Sequence, residues 1–138
     1  MKYIPRAMEY YIKNTSQSFK AALITGSRQV GKSTLLKMLY PDIKYRTFDD
    51  PLLLAGSKNE PGLFMKNNQP PVILDEVQYA TDLFSYIKME CDASEKKGLF
   101  FLTGSQQYRL MQNVSESLAG RIAILELSPL SLREIQRV

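Results

Sequence analysis

Residues 26–33 read Gly26-Ser27-Arg28-Gln29-Val30-Gly31-Lys32-Ser33, and this octapeptide fits the pattern G-x-x-x-x-G-K-[ST] at every position. An apolar run, residues 21–25, precedes it, and Leu35, Leu36 and Leu39 follow it at helical spacing. A glycine-rich loop between a strand and a helix directs successive backbone N–H groups toward one point, and the helix N-terminus adds partial positive charge there. The octapeptide therefore predicts a phosphate-binding loop.

The predicted nucleotide contacts cover this loop and one residue beyond it: Gly26, Ser27, Arg28, Gln29, Val30, Gly31, Lys32, Ser33 and Thr34. The Lys32 ammonium can reach the β- and γ-phosphates of a nucleotide, and the Ser33 hydroxyl is placed to ligate Mg²⁺. A simple glycine turn with a surface lysine is the alternative, but it does not explain a lysine at a helix start, where it opposes the helix dipole. We therefore expect ATP and Mg²⁺ as ligands.

Short apolar runs alternate with segments of helical spacing along the rest of the chain. Strands are predicted at residues 21–25, 43–48, 72–74, 99–102 and 122–127. Helices are predicted at 32–40, at 82–97 with Thr81 as N-cap, and within 105–118, with two short helices between the second and third strands. Such alternation is typical of an α/β fold with a parallel sheet covered by helices, and 138 residues suit a single domain, 1–138.

Composition excludes several kinds of chemistry. The chain has no His, which removes His-dependent catalysis and imidazole metal sites, and its one cysteine, Cys91, is expected in the core. No apolar run is long enough to span a membrane, and we expect a cytoplasmic protein. The net charge of +4 comes from basic residues spread along the chain, so nucleic-acid binding is only weakly indicated.

An acidic pair ends the third predicted strand, in the run Val72-Ile73-Leu74-Asp75-Glu76. Open α/β sheets bind ligands at the carboxyl ends of their strands. Asp75 is expected to hold Mg²⁺, and Glu76 to orient and polarise the water that attacks the γ-phosphate. A solvated strand end is the alternative, although adjacent carboxylates repel each other unless a cation is near.

The runs GSRQVGKS, VILDE and LTGS resemble those of the AAA+ ATPases. More closely, ITGSRQVGKSTLL, FDDP, VILDEVQ, FLTGS, SLAGRI and PLSLREI resemble a prokaryotic group of AAA+ ATPases that generally continues into a C-terminal region with a domain of unknown function. The resemblance implies a three-layer P-loop NTPase with a five-stranded parallel sheet in the order 5-1-4-3-2. It also implies that residues 1–138 form the N-terminal part of a longer protein, without its lid and C-terminal domain.

The resemblance implies two further catalytic residues. A "sensor 1" residue near the γ-phosphate is Thr103 or Ser105, and we favour Ser105, for which a helix N-cap role is the alternative. Arg121 occupies the position of an arginine finger that would reach a neighbouring subunit's nucleotide in a homo-oligomer; a surface arginine or a structural ion pair is the alternative.

Three other polar side chains, those of Gln78, Asp49 and Asp50, follow predicted strands and are further candidates for this site. Gln78 could help to place the attacking water. Asp49 or Asp50 could pair with Arg28 near the phosphates, although a turn-forming role is favoured for the two acids.

The sequence thus predicts an ATPase, weak as an isolated domain, with Lys32, Glu76, Ser105 and Arg121 as catalytic residues and Ser33 and Asp75 as metal ligands. Hydrolysis would drive conformational change in an unidentified protein partner or C-terminal domain. A nucleotide-dependent switch with negligible turnover and a small-molecule kinase are the alternatives, the kinase being disfavoured because Glu76 suits water activation.

Overall fold

Five strands form a single sheet in the computed structural model, which describes residues 6–26 and 31–127, with side chains from residue 9 onward. The strands are β1 (Ala21–Thr25), β2 (Lys44–Thr47), β3 (Val72–Asp75), β4 (Phe100–Gly104) and β5 (Ile122–Glu126). They lie in the order β2-β3-β4-β1-β5, and each adjacent pair is parallel. Read from the opposite edge this order is 5-1-4-3-2, so the predicted α/β fold and strand order are confirmed.

Helices cover both faces of the sheet. They are α1 (Arg6–Ser18), α2 (Lys32–Leu39), α3 (Pro51–Asn59), α4 (Pro61–Asn67), α5 (Phe84–Ala93) and α6 (Tyr108–Leu118). Because successive strand residues point to opposite faces, Leu23 and Leu74 pack with residues of α3 to α6, while Ile24 and Ile73 pack with residues of α1 and α2. Strands β1, β3 and β4 are buried throughout, as expected for central strands of a three-layer fold.

The strand register brings the carboxyl ends of the strands to one edge. Thr25 pairs with Gly104, and Thr47 pairs with Asp75. The segments that follow β1, β2, β3 and β4 therefore begin at this carboxyl edge, where α/β sheets bind their ligands. The opposite, amino edge carries Ala21, whose N–H donates to the Arg121 carbonyl over 3.2 Å.

Several predicted helix ends are wrong. Thr81 does not cap a helix; it begins a 3₁₀ turn, Thr81–Leu83, that follows another at Val77–Tyr79, and α5 begins at Phe84 and ends at Ala93 instead of Lys97. The two turns place Val77 and Leu83 in the core, where each is 1% exposed. The helix therefore begins later in the sequence than predicted, at Phe84. Pro61, expected to separate two helices, instead starts α4, where a proline fits because its missing N–H is not needed.

Two other predictions about side chains are confirmed. Cys91 is fully buried in the core cluster against α6. The turn expected at Asp49 and Asp50 is present, because the Asp50 N–H donates to the Thr47 carbonyl over 3.2 Å. The Asp50 carboxylate also caps α3, a role that the sequence did not predict, by accepting a hydrogen bond from the Leu52 N–H over 2.9 Å. Among the described helices, none combines the length and apolar character needed to cross a membrane. The run PLSLREI, residues 129–135, lies outside the described residues.

Candidate functional site

The predicted phosphate-binding loop joins β1 to α2 at the carboxyl edge. Gly31 precedes the helix with φ 79°, a left-handed conformation that glycine adopts without strain. Lys32 begins α2 with only 3% of its surface exposed, and its Nζ donates to the Gly26 carbonyl over 2.8 Å. Positive charge is thus concentrated at a buried helix N-terminus, which favours an anionic ligand. Ser27 to Val30 lie outside the described residues.

The carboxylate of Asp75 is held by hydroxyl groups from both neighbouring strands. Its Oδ2 accepts hydrogen bonds from Tyr45 Oη at 2.8 Å and Thr47 Oγ1 at 2.7 Å, and its Oδ1 accepts one from Thr103 Oγ1 at 2.5 Å. Only 4% of Asp75 is exposed. A carboxylate offers about four lone-pair positions, so these donors leave about one of them, on Oδ1. The side chain is therefore fixed in one orientation with capacity for one further contact.

Tyr45 donates a hydrogen bond to the predicted Mg²⁺ ligand Asp75. Burial, the hydrogen bond to Asp75 and the charge of Asp75 raise the pKa of Tyr45 to about 12, while hydrogen bonding with Ser33 and Thr47 opposes the increase. The phenol thus stays protonated as a donor to Asp75. Our sequence interpretation missed Tyr45 and Thr47, although their spacing of two on a predicted strand indicates a shared face.

The oxygen atoms at this edge suit a hard divalent cation. The carboxylates of Asp49, Asp75 and Glu76 each place an oxygen within 4.8 Å of the others. Mg²⁺ prefers carboxylate, hydroxyl and water oxygens. The donor set predicted from the sequence, Ser33 and Asp75, therefore fits Mg²⁺, with Asp49 as an additional nearby carboxylate.

Glu76 adopts a backbone conformation that is unusual for its residue type. Its φ of 62° and ψ of 53° are left-handed, and only 6% of the residue is exposed. The Glu76 N–H donates to Thr103 Oγ1 over 3.0 Å, and its Oε1 accepts from Gln78 Nε2 over 2.8 Å. A non-glycine residue in this region costs about 1–3 kcal/mol and persists where surrounding contacts impose it. Strain of this kind is concentrated at functional sites.

The two candidates for the sensor position differ in what their hydroxyl groups contact. Thr103 uses its hydroxyl within the protein, as a donor to Asp75 and an acceptor from the Glu76 N–H. Ser105 Oγ is shielded from solvent and has no hydrogen-bond partner among the residues that the structure describes. The alternative role of Ser105 as a helix N-cap is wrong, because Gln107 is the N-cap residue of α6. Ser105 is thus the candidate whose hydroxyl remains available to a ligand.

Arg121 lies away from these residues, at the amino edge of the sheet. Its Nε and Nη2 donate to the two oxygens of Asp92 over 2.7 and 3.1 Å, and its Nη1 donates to the Ala119 carbonyl over 2.9 Å. The hydrogen bond with Asp92 raises the pKa of Arg121 and lowers that of Asp92. The ion pair that the sequence left as an alternative is therefore present. β1 has five residues, so the amino edge, where Arg121 lies, and the carboxyl edge, where α2 begins at Lys32, are roughly 16 Å apart.

Known proteins support this assignment of the fold and family. The model of the AAA domain family matches residues 18–136. Two uncharacterized mycobacterial proteins, Rv2008c of Mycobacterium tuberculosis and Mb2031c of Mycobacterium bovis, are each 34% identical to this chain over 114 residues. These residues are 82% of this chain and 26% of each relative, so the chain spans about a quarter of their length.

A solved structure shows the same fold. The Walker-type ATPase PABY2304 of Pyrococcus abyssi superimposes with a TM-score of 0.62 at 17% sequence identity, over 92% of this chain and 54% of that one. Such identity establishes a shared fold alone. The family match covers most of the chain and includes both the loop before Lys32 and the acidic end of β3. The chain therefore belongs to the AAA family of P-loop ATPase domains.

Proposed function

We propose that the protein binds ATP with Mg²⁺ at the carboxyl edge of its sheet and hydrolyses it by attack of water. The observation that carries this proposal is the cluster of the Asp49, Asp75 and Glu76 carboxylates, within 4.8 Å of one another, at the same edge of the sheet as the buried ammonium of Lys32. Binding of ATP or ADP would rest on the phosphates, because the loop amides and Lys32 all address phosphate oxygens.

Each residue has a separate part in the proposed reaction. Lys32 neutralises charge on the β- and γ-phosphates, and Ser33 and Asp75 hold the metal, Asp75 through its remaining lone pair or a water molecule. Bound Mg²⁺ would reduce the negative charge on the phosphate oxygens. Gly26 to Thr34 supply the remaining nucleotide contacts, as expected for this loop.

Glu76 is the group that we assign to the attacking water. Its carboxylate orients the water and accepts a proton as the water oxygen bonds to the γ-phosphorus. The bond between that phosphorus and the β–γ bridging oxygen breaks, and ADP leaves with the electron pair. The Ser105 hydroxyl donates to a γ-phosphate oxygen. Because its contacts already fix Glu76 at the end of β3, this base requires little reorganisation before attack.

The proposed output is conformational change in a protein partner or a further domain. A nucleotide-dependent switch with negligible turnover is a second candidate function, and the position of Arg121 favours it. Arg121 is paired with Asp92 at the opposite edge of the sheet, so its charge is not available to the nucleotide site of the same chain. In a homo-oligomer Arg121 would act on a neighbour's nucleotide, and turnover would then depend on assembly.

The test compares wild type with Glu76→Gln, which preserves the shape of the side chain and removes its basicity. We expect the variant to bind Mg-ATP with unchanged affinity by calorimetry and to release phosphate about 10²-fold more slowly, the scale for loss of a positioned base. Hydrolysis by Glu76→Gln at the wild-type rate would disprove the role of Glu76. Wild-type binding without measurable turnover would instead identify the switch.

A further inference from the structure

Gln78 forms hydrogen bonds with Glu76 and Ser105, the two residues expected beside the γ-phosphate. It belongs to the 3₁₀ turn that follows Glu76 and is partly buried. Its Nε2 donates to Glu76 Oε1 over 2.8 Å, and its Oε1 accepts from the backbone N–H of Ser105 over 3.2 Å. One side chain thus joins the end of β3 to the end of β4.

The chemistry of the partners fixes the orientation of the Gln78 amide. A backbone N–H can only donate, so the amide oxygen must face Ser105, and the NH₂ group then faces the Glu76 carboxylate, which accepts. Both hydrogen bonds are satisfied in this orientation and neither in the flipped one. A glutamine is therefore specifically suited here: glutamate would oppose the Glu76 charge, and an apolar side chain would make neither contact.

The approach of these groups depends on the glycine between Thr103 and Ser105. A Cβ at Gly104 would lie 3.2 Å from Gln78 Oε1 and 2.7 Å from Leu110 Cδ2. The second distance is too short for a carbon pair, so any other residue would displace Leu110 or the strand end. The Glu76 N–H also donates to Thr103, so the backbone and the side chain of Glu76 are both tied to the end of β4.

Ser105 provides the connection to a ligand. Its Oγ is shielded from solvent and lacks a hydrogen-bond partner within residues 6–26 and 31–127, which is unfavourable for a buried hydroxyl. A phosphate oxygen that accepts from this hydroxyl would relieve the cost and fix the position of Ser105. Because the Ser105 N–H donates a hydrogen bond to Gln78, a fixed position of Ser105 also fixes the Gln78 side-chain amide, which in turn donates to Glu76.

We propose that Gln78 is a positioning residue that couples contact between Ser105 and the terminal phosphate to the orientation of Glu76. This inference rests on the proposed function and deepens it: ATP, but not ADP, would complete the link from Ser105 through Gln78 to the base. Hydrolysis would therefore require Gln78, whereas nucleotide binding through the phosphate loop would not.

The test is a double-mutant cycle between Gln78→Met and Ser105→Ala, followed by single-turnover phosphate release and ADP calorimetry. Gln78→Met should lower the hydrolysis rate at least tenfold with ADP affinity within about twofold of wild type, since the loop is untouched. Ser105→Ala should lower the rate in the wild-type background and have little further effect in Gln78→Met. The exposed Gln17 supplies a matched control, Gln17→Met, expected to retain full activity.

Retained ADP binding shows that a variant is folded, and Gln78→Glu, which preserves side-chain length, provides a second variant with the same expected loss. A hydrolysis rate of Gln78→Met within about twofold of wild type would overturn the proposal. So would an equal effect of Ser105→Ala in both backgrounds, because independent sites give additive changes. Absence of turnover in the wild type would overturn the ATPase proposal as well, whereas normal wild-type turnover with unaffected variants overturns the role of Gln78 alone.

Discussion

Replacement of Thr103 by valine should be unusually destabilising for a change that preserves side-chain shape. Thr103 is fully buried, and its hydroxyl makes two hydrogen bonds, donating to Asp75 and accepting from the Glu76 N–H. Valine would leave that N–H without an acceptor, at about 1–3 kcal/mol, and remove a bond to a charged carboxylate, worth about 1.5–3 kcal/mol. We therefore expect Thr103→Val to lower the free energy of unfolding by about 2.5–6 kcal/mol.

Thr103→Ser is the matched control, because it keeps the hydroxyl and removes one methyl group, at a cost of roughly 1 kcal/mol. Urea unfolding followed by circular dichroism measures both variants. For an m-value of about 2 kcal/mol per M, the valine variant should unfold at a midpoint roughly 1–3 M below wild type. A valine variant as stable as the serine variant would show that the hydroxyl does not hold Asp75 and Glu76 together.

Three other predictions concern Tyr45, Cys91 and Arg121. Tyr45→Phe removes one hydrogen-bond donor to Asp75 and keeps the aromatic ring, whose centroid lies 4.1 Å from Lys37 Nζ. Calorimetry should therefore show that ATP binding by this variant depends less on Mg²⁺. An unchanged Mg²⁺ dependence would contradict this prediction. Burial raises the pKa of Cys91 from 9.0 to about 11, so the neutral thiol stabilises the fold fully below pH 9 and this contribution is lost as the pH rises from 9 to 11. Iodoacetamide at pH 8 should label native Cys91 at least 100-fold more slowly than the unfolded chain, and equal rates by mass spectrometry would be inconsistent with its burial. The specific ATPase activity of the wild type should rise with protein concentration. Arg121→Ala should abolish this rise and keep ATP affinity within about threefold of wild type. A fully active variant together with a constant specific activity would show that Arg121 acts only through its ion pair with Asp92.

The strands and the loop at Lys32 could be predicted because their signals are local. A central strand of a parallel sheet is buried on both faces, so it is an apolar run in the sequence, as in residues 21–25 and 72–74. The proposed phosphate loop requires particular residue types at fixed spacing, so the pattern alone predicts its place in the chain. The strand order instead followed from a family resemblance, because apolar runs do not specify which strands pair.

Helix beginnings were less predictable, because a capping residue acts only where the backbone enters a helix. Thr81 and Ser105 both have side chains that favour an N-cap. The left-handed Glu76 and the two 3₁₀ turns after it keep Thr81 outside α5, and Gln107 takes the cap of α6. These choices depend on how β3 and β4 end beside each other, which no short stretch of sequence contains.

The hydroxyl groups around Asp75 were missed for a related reason. Tyr45, Thr47 and Thr103 contact Asp75 across sequence separations of 30, 28 and 28 residues. Their role becomes visible only when β2, β3 and β4 lie side by side in register. Once the strand order is fixed, polar residues at the carboxyl ends of strands adjacent to Asp75 are the natural candidates to surround it.

Binding of Mg-ATP to wild type and Lys32→Ala, measured by isothermal titration calorimetry, tests the central claim most directly. Lys66→Ala, which changes an exposed lysine of α4, is the matched control, and urea unfolding verifies that each variant is folded. Loss of a charged contact worth about 1.5–3 kcal/mol should weaken ATP binding by roughly 10- to 100-fold in Lys32→Ala and leave Lys66→Ala unchanged. Equal ATP affinity in wild type and Lys32→Ala would contradict the assignment of this loop as the phosphate-binding site.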